Sequence, residues 1–154
     1  WGTVVLFAAS ISLGNLLSKT GAAAWLAQQT LGQMGLSALP VVAVIGALSL
    51  FSIVLHLGFA SATGLASTLI PIFIAFAQSL PVSKETAFGI VMIQSFVVSF
   101  GFILPTNAPQ NMLCYGTGAF GTSQFAKVGL LLTLAGLGLI LLLSATLWPM
   151  MGVL

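Results

Sequence analysis

Few residues in this chain could do chemistry. The ionisable or nucleophilic candidates are His56, Glu85, Cys114, Tyr115 and the lysines Lys19, Lys84 and Lys127. No two of them stand in a recognisable nucleophile–base or metal-ligand pattern, so the reading is of a protein that is not an enzyme. Cys114 is the single cysteine and cannot form a disulfide within the chain. Its apolar neighbourhood suits packing. Lys84 and Glu85 follow Pro81 in a polar connection and read as a solvated pair. His56 lies five residues before a small polar cluster, where it is either a neutral, hydrogen-bonded histidine or a proton-coupling group.

What remains are two polar clusters in otherwise apolar sequence. One is Ser61-Ala62-Thr63-Gly64. The other is Pro105-Thr106-Asn107-Ala108-Pro109-Gln110-Asn111. Prolines four apart cannot continue an ordinary helix, so the second cluster is a break. An interrupted helix leaves N–H groups unpaired at one half's start and C=O groups unpaired at the other half's end. The first attract anions and the second suit a hard cation such as sodium. A carboxylate or sulfate can thus be held with sodium without any charged side chain.

These clusters are set in a chain that is 59% hydrophobic and 3% charged. A soluble domain carries roughly 25% charged residues. Four charged side chains among 154 residues cannot dress a water-facing surface, so lipid is the expected solvent and the protein is multi-pass. All three basic residues are lysines, which excludes a basic nucleic-acid patch.

Residues 20–83, 86–126 and 128–154 contain no charge. A helical span needs about 20 apolar residues. Trp1 to Leu17 is a short candidate, and residues 21–35, with Trp25, Gln28, Gln29 and Gln33, suit an interfacial helix. Val41 to Leu80 would measure about 60 Å as one helix, twice a hydrocarbon core of roughly 30 Å. A re-entrant hairpin over 41–80, turning at 61–64, is the favoured reading, because non-helical backbone at depth must be buried or line a wet cavity. A helix from Thr86 to Leu104 is expected to break at Pro105 and resume briefly at Met112. Val128 to Trp148 reads as a plain span. The organisation expected is a scaffold-side transmembrane segment plus interfacial helix over 1–37. A transport part follows over 38–127, with hairpin 41–80 and broken helix 86–116, and then a final transmembrane helix over 128–154. The fold class is all-α integral membrane: one half of an inverted-repeat secondary transporter, with its site at discontinuous helices near the midplane. The chain opens on Trp1 and reads as a piece of something longer.

At these residues the chain resembles the divalent anion/sodium symporter family of dicarboxylate, citrate and sulfate carriers, and its C-terminal half in particular. WGTVVLFAASISLGNLLSKTGAAAWLA is similar to a Trp-led, Gly/Leu-rich family segment. FASATGLASTLIPI resembles its second hairpin tip, where Ser-Asn-Thr is usual. LPTNAPQNMLCYGTGAFGTSQFAKVG resembles the segment before its final span. The resemblance implies symport of a small divalent anion (di/tricarboxylate or sulfate) with sodium by alternating access. It also implies a homodimer in the cell (inner) membrane, with Lys127 inside and Lys19 and Lys84 outside.

Carried over by position, the resemblance assigns substrate binding to Ser61, Ala62, Thr63, Ala108 and Pro109. It assigns a sodium site to Ala60, Ala62, Asn107 and Pro109, largely through backbone carbonyls. Two positions depart from the pattern: Ala62 replaces the tip asparagine, and Ala108 the threonine before the proline. Asn107, where the family has a small residue, is expected to supply the amide that Ala62 cannot. Alternatives are a sodium-independent exchanger of the same fold, a sodium/proton or metalloid carrier, and a non-transporting scaffold.

Overall fold

A computed structural model describes Ser12, Leu16, residues 19–58 and residues 62–154; the expected span over Trp1 to Leu17 lies almost wholly outside these, as do Ala60 and Ser61. The described residues are helical, with no strand among them. Helix α1 covers Ala22–Thr30 and is followed by two short 3-10 turns, Gly32–Met34 and Leu36–Ala38. Gly35 joins the turns at φ 65°, a left-handed conformation that a side chain disfavours.

Helix α2, Val41–His56, starts directly after Pro40. The proline lacks an N–H, and at the helix start none is needed. The helix ends where the Leu57 and Gly58 amides reach back only three residues, to the carbonyls of Val54 (3.2 Å) and Leu55 (3.0 Å). Helix α3 is Ala62–Ser79 and contains Pro71. Ala62, Thr63 and Gly64 therefore belong to its first turn, where sequence reading expects the turn of a hairpin. The described part of the interruption is Leu57–Gly58. The Gly64 carbonyl accepts the hydroxyls of Ser67 (2.9 Å) and Thr68 (3.0 Å) one turn on, which gathers these polar groups onto a helix.

Helix α4, Lys84–Val97, is capped by Ser83, whose Oγ accepts the Thr86 amide at 3.1 Å. In its solvated first turn, Glu85 is held below the ordinary carboxylate range by hydrogen bonds from its own backbone N–H and from the Ser83 hydroxyl. The helix ends seven residues before Leu104, the expected end. The amides of Ser99 and Phe100 bond three residues back, to Phe96 and Val97, and the backbone then runs irregularly to Leu104. A 3-10 turn Pro105–Asn107, helix α5 (Pro109–Tyr115), helix α6 (Thr122–Ala145) and the short α7 (Leu147–Met150) follow. Because α6 starts at Thr122, with the Gly121 amide bonded to Gln124 Oε1 at 3.1 Å, Lys127 lies inside the final helix rather than before it.

Helix α4 packs against both α2 and α3, α1 covers α3, and α2 also packs on α6. The core between them holds Ile45, Leu48, Leu65, Phe73, Phe76, Ile90, Ile93 and Val97, all essentially buried. By length and composition, α3 and the Thr122–Met150 rod can each cross a membrane. Leucines 131, 134, 139 and 142 of α6 are exposed, as apolar side chains facing lipid should be. Helix α6 meets the 98–108 segment at two glycines. A Cβ on Gly129 would collide with the Phe102 carbonyl, and one on Gly136 would lie 2.9 Å from the Phe100 ring.

Candidate functional site at the helix interruption

The backbone from Val98 to Ala108 is the longest described interruption, and the side-chain amide of Asn107 holds it to the end of α2. Asn107 is 1% exposed and donates from Nδ2 to the His56 carbonyl at 2.7 Å. That carbonyl is one of the four at a helix end that have no partner within the helix. Asn111, in the first turn of α5, donates from Nδ2 to the Gly101 carbonyl at 2.7 Å and to that of Leu104 at 3.4 Å. The two asparagines therefore act as splints, meeting backbone acceptors that the broken helix leaves open. Gly101 lies against the His56 ring, and a Cβ there would stand 2.7 Å from Nε2.

Further into the bundle the same face of α2 carries Ser49 and Ser52, spaced three and then four residues before His56. All three are at most 1% exposed. Gln94 of α4 donates from Nε2 to Ser49 Oγ at 3.1 Å and to the Ile45 carbonyl at 3.2 Å. Ser52 Oγ, both ring nitrogens of His56, Gln94 Oε1 and Asn107 Oδ1 are buried without a protein partner among the described residues. Buried polar atoms are nearly always satisfied, so a file of unpaired ones inside an apolar bundle points to work beyond packing.

The structure does not describe every residue that sequence reading singles out. Ala60 and Ser61 lie outside the described residues. Ala62 and Thr63 open α3, Asn107 closes the 3-10 turn, and Ala108 is the extended residue from which α5 starts at Pro109. Asn107 is tied to the His56 carbonyl, so the amide expected to replace a tip asparagine is partly committed to the backbone. One Nδ2–H is used, and Oδ1 is without a hydrogen-bond partner among the described residues. Cys114 is exposed, where a packing role was expected. Tyr115 pairs its hydroxyl with that of Thr122 at 2.8 Å.

Ser49, Ser52, Gln94 and Gly101 are absent from the sequence-based site. A signal for the first two exists in their helical register with His56, and for Gln94 in its being an amide in an apolar run.

A family model described as the sodium:sulfate symporter transmembrane region matches residues 1–154. The chain belongs to this family. The sequence is 47% identical over 152 residues to a membrane protein of Cupriavidus necator, covering 99% of this chain and 29% of that protein. It is 31% identical to an uncharacterized transporter of Haemophilus influenzae, covering 96% of this chain and 31% of that protein. It is 27% identical to a sodium-dependent dicarboxylate transporter of Staphylococcus saprophyticus, covering 97% and 27% respectively. The chain thus spans less than a third of the relatives it matches. No solved structure matches it. The family is one of membrane transporters, not enzymes, as the sequence reading has it.

Proposed function

We propose that the full-length protein containing this chain moves a small divalent anion, a di- or tricarboxylate or sulfate, across the cell membrane by alternating access with sodium. The observation that carries this reading is the interruption at Val98–Ala108, buried in part and braced to the end of α2 by Asn107, in a chain of the sodium:sulfate symporter family. Ser61, Ala62, Thr63, Ala108 and Pro109 would contact the anion. Helix α3 opens at Ala62, and the dipole at a helix N-terminus favours negative charge. Sodium would travel beside it, held by backbone carbonyls near Ala60, Ala62, Asn107 and Pro109. The buried Oδ1 of Asn107, which has no hydrogen-bond partner among the described residues, supports a cation there, because an oxygen acceptor attracts a hard cation and repels a carboxylate.

In this reading the arms of a re-entrant hairpin over 41–80 move with the broken helix 86–116. Residues 1–37 belong to a static scaffold that pairs two copies, and the remaining half of the site comes from the rest of the protein. The decisive experiment is uptake of labelled succinate and sulfate by the full-length protein in vesicles, with choline replacing sodium. Loss of uptake in choline is expected. Undiminished uptake would move the assignment to sodium-independent exchange, which the replacement of the tip asparagine by Ala62 favours.

A further inference from the structure

We propose that the cavity between α5, α6 and the 98–108 segment binds one anionic phospholipid, its headgroup at Lys127 and an acyl chain inside. This goes beyond the carrier reading and does not depend on what is carried.

The cavity holds about 660 Å³, within the roughly 300–1,000 Å³ usual for ligand pockets. Phe102 and Asn111 wall it on the side of the interruption, and Val128 and Leu132 on the side of α6. Phe120 and Phe125 complete it, their rings stacked with centroids 5.8 Å apart. Tyr115 lies 6.4 Å from Phe120 and pairs its hydroxyl with Thr122. The connection from α5 to α6 is thereby folded into an aromatic roof. Apart from the side-chain amides of Asn111 and Gln124, the lining is apolar.

Depth and charge select the occupant. Val128 and Leu132 are each more than half exposed, as is Leu131 between them. The cavity therefore opens onto the leucine face of α6, and what meets that face in a bilayer is lipid. Lys127 and Trp148 stand 21 residues apart, about 32 Å along a helix, which matches roughly 30 Å of hydrocarbon. Lysine and tryptophan settle at the two boundaries. That puts the Lys127 ammonium at headgroup level and Leu132, five residues on, about 7.5 Å deeper.

Gln124 lies three residues before Lys127 and is its neighbour on the helix surface, so the exposed ammonium flanks the rim. These elements offer it no acidic side chain: Glu85, the only one in the sequence, sits in the first turn of α4. A cation above an apolar cavity is the complement of a phosphate above an acyl chain. Because Phe102 belongs to the interruption and Val128 to α6, a lipid seated here touches both.

The test uses the full-length protein in detergent micelles with phosphatidylglycerol that carries a photoreactive diazirine in one acyl chain. Adducts are mapped by peptide mass spectrometry, and they should concentrate at Phe102, Phe125, Val128 and Leu132. Unlabelled phosphatidylglycerol should displace the probe about fivefold better than phosphatidylcholine, the worth of one lysine at an anionic headgroup. Lys127→Gln should bring the two competitors to parity with the same peptides still labelled, and Lys127→Arg should keep the preference. Adducts spread as densely over Leu134, Leu139 and Leu142 would overturn the site. So would an unlabelled cavity, which would mean that the rest of the protein fills it. Parity in the native protein, a preference that survives Lys127→Gln, or equal displacement by soluble glycerol phosphate would each overturn the lipid assignment. If Lys127→Gln does not assemble, the competition on the native protein decides alone.

Discussion

Asn107 spans 51 positions of sequence to place its Nδ2 2.7 Å from the carbonyl of His56, and both residues are 1% exposed. This one bond joins the end of the first apolar helix to the middle of the broken one. It makes the interruption part of a common frame rather than a loose kink, and it sets the terms for a mutation. Asn107→Ala removes the donor and leaves the carbonyl buried, a loss of about 1–3 kcal/mol. The melting temperature of the purified full-length protein should fall, and sodium-dependent uptake with it. Because Ala62 opens a different helix, Ala62→Asn should restore uptake, if the two amides serve one volume, without restoring the melting temperature. Restored stability in the double mutant would contradict this separation of roles.

Gln94 makes a comparable case within the bundle. Its amide bridges to Ser49 and the Ile45 carbonyl from a fully buried position. Gln94→Ala should cost about 1–3 kcal/mol for the lost bonds, with more from the cavity left behind. Thermal melts of the variant beside Ser49→Ala and the double mutant would expose the coupling. Strictly additive losses would mean that the Gln94–Ser49 bond contributes nothing.

Gly101 and Gly129 are predicted to be intolerant for steric reasons. At Gly101 a methyl would press on the His56 ring, and at Gly129 it would lie 2.6 Å from the carbonyl carbon of Phe102. The ring can shift slightly, whereas the backbone cannot without moving α6. Gly129→Ala should therefore lower expression and melting temperature more than Gly101→Ala, and Gly101→Ala should act on transport first. Expression, melting and uptake measured together on both variants check the order.

Ser83→Ala offers a control at the solvated end of α4. It removes the acceptor of the Thr86 amide and should cost about 1 kcal/mol, as lost N-caps do, with transport per folded molecule unchanged. A marked change in uptake would mean that this connection takes part in the cycle.

How much of this was open to sequence reading differs by kind of signal. The membrane setting followed from charge count alone, and the start of α2 from Pro40, because those signals are local. The break at Pro105–Pro109 was legible because proline lacks a donor. Its early onset at Val98 was not. In the unwound stretch Gly101 lies against His56, a contact with a residue 45 positions away that no local propensity reports. The polar cluster after Phe59 signals an interruption correctly but not its position: Ala62, Thr63 and Gly64 are helical, since small polar residues serve a helical first turn as readily as a loop. His56 was visible as a lone titratable group, but its tie to Asn107 arises only when α2 and the break are brought together.

The near-absence of side chains between Gly129 and the Phe102 carbonyl has a mechanical consequence. Two backbones in direct contact have no compliant layer between them, so a displacement of the interruption would press directly on α6. Its 24 residues make a rod of about 36 Å, against roughly 30 Å of hydrocarbon. A carrier that shifts this rod along the membrane normal drags a leucine-covered surface through the headgroup boundary. The lipid would then act as a spring on the moving body, and its stiffness would change with acyl-chain length. Turnover in short-, medium- and long-chain vesicles should accordingly pass through an optimum, while a rod that stays still would give a flat response.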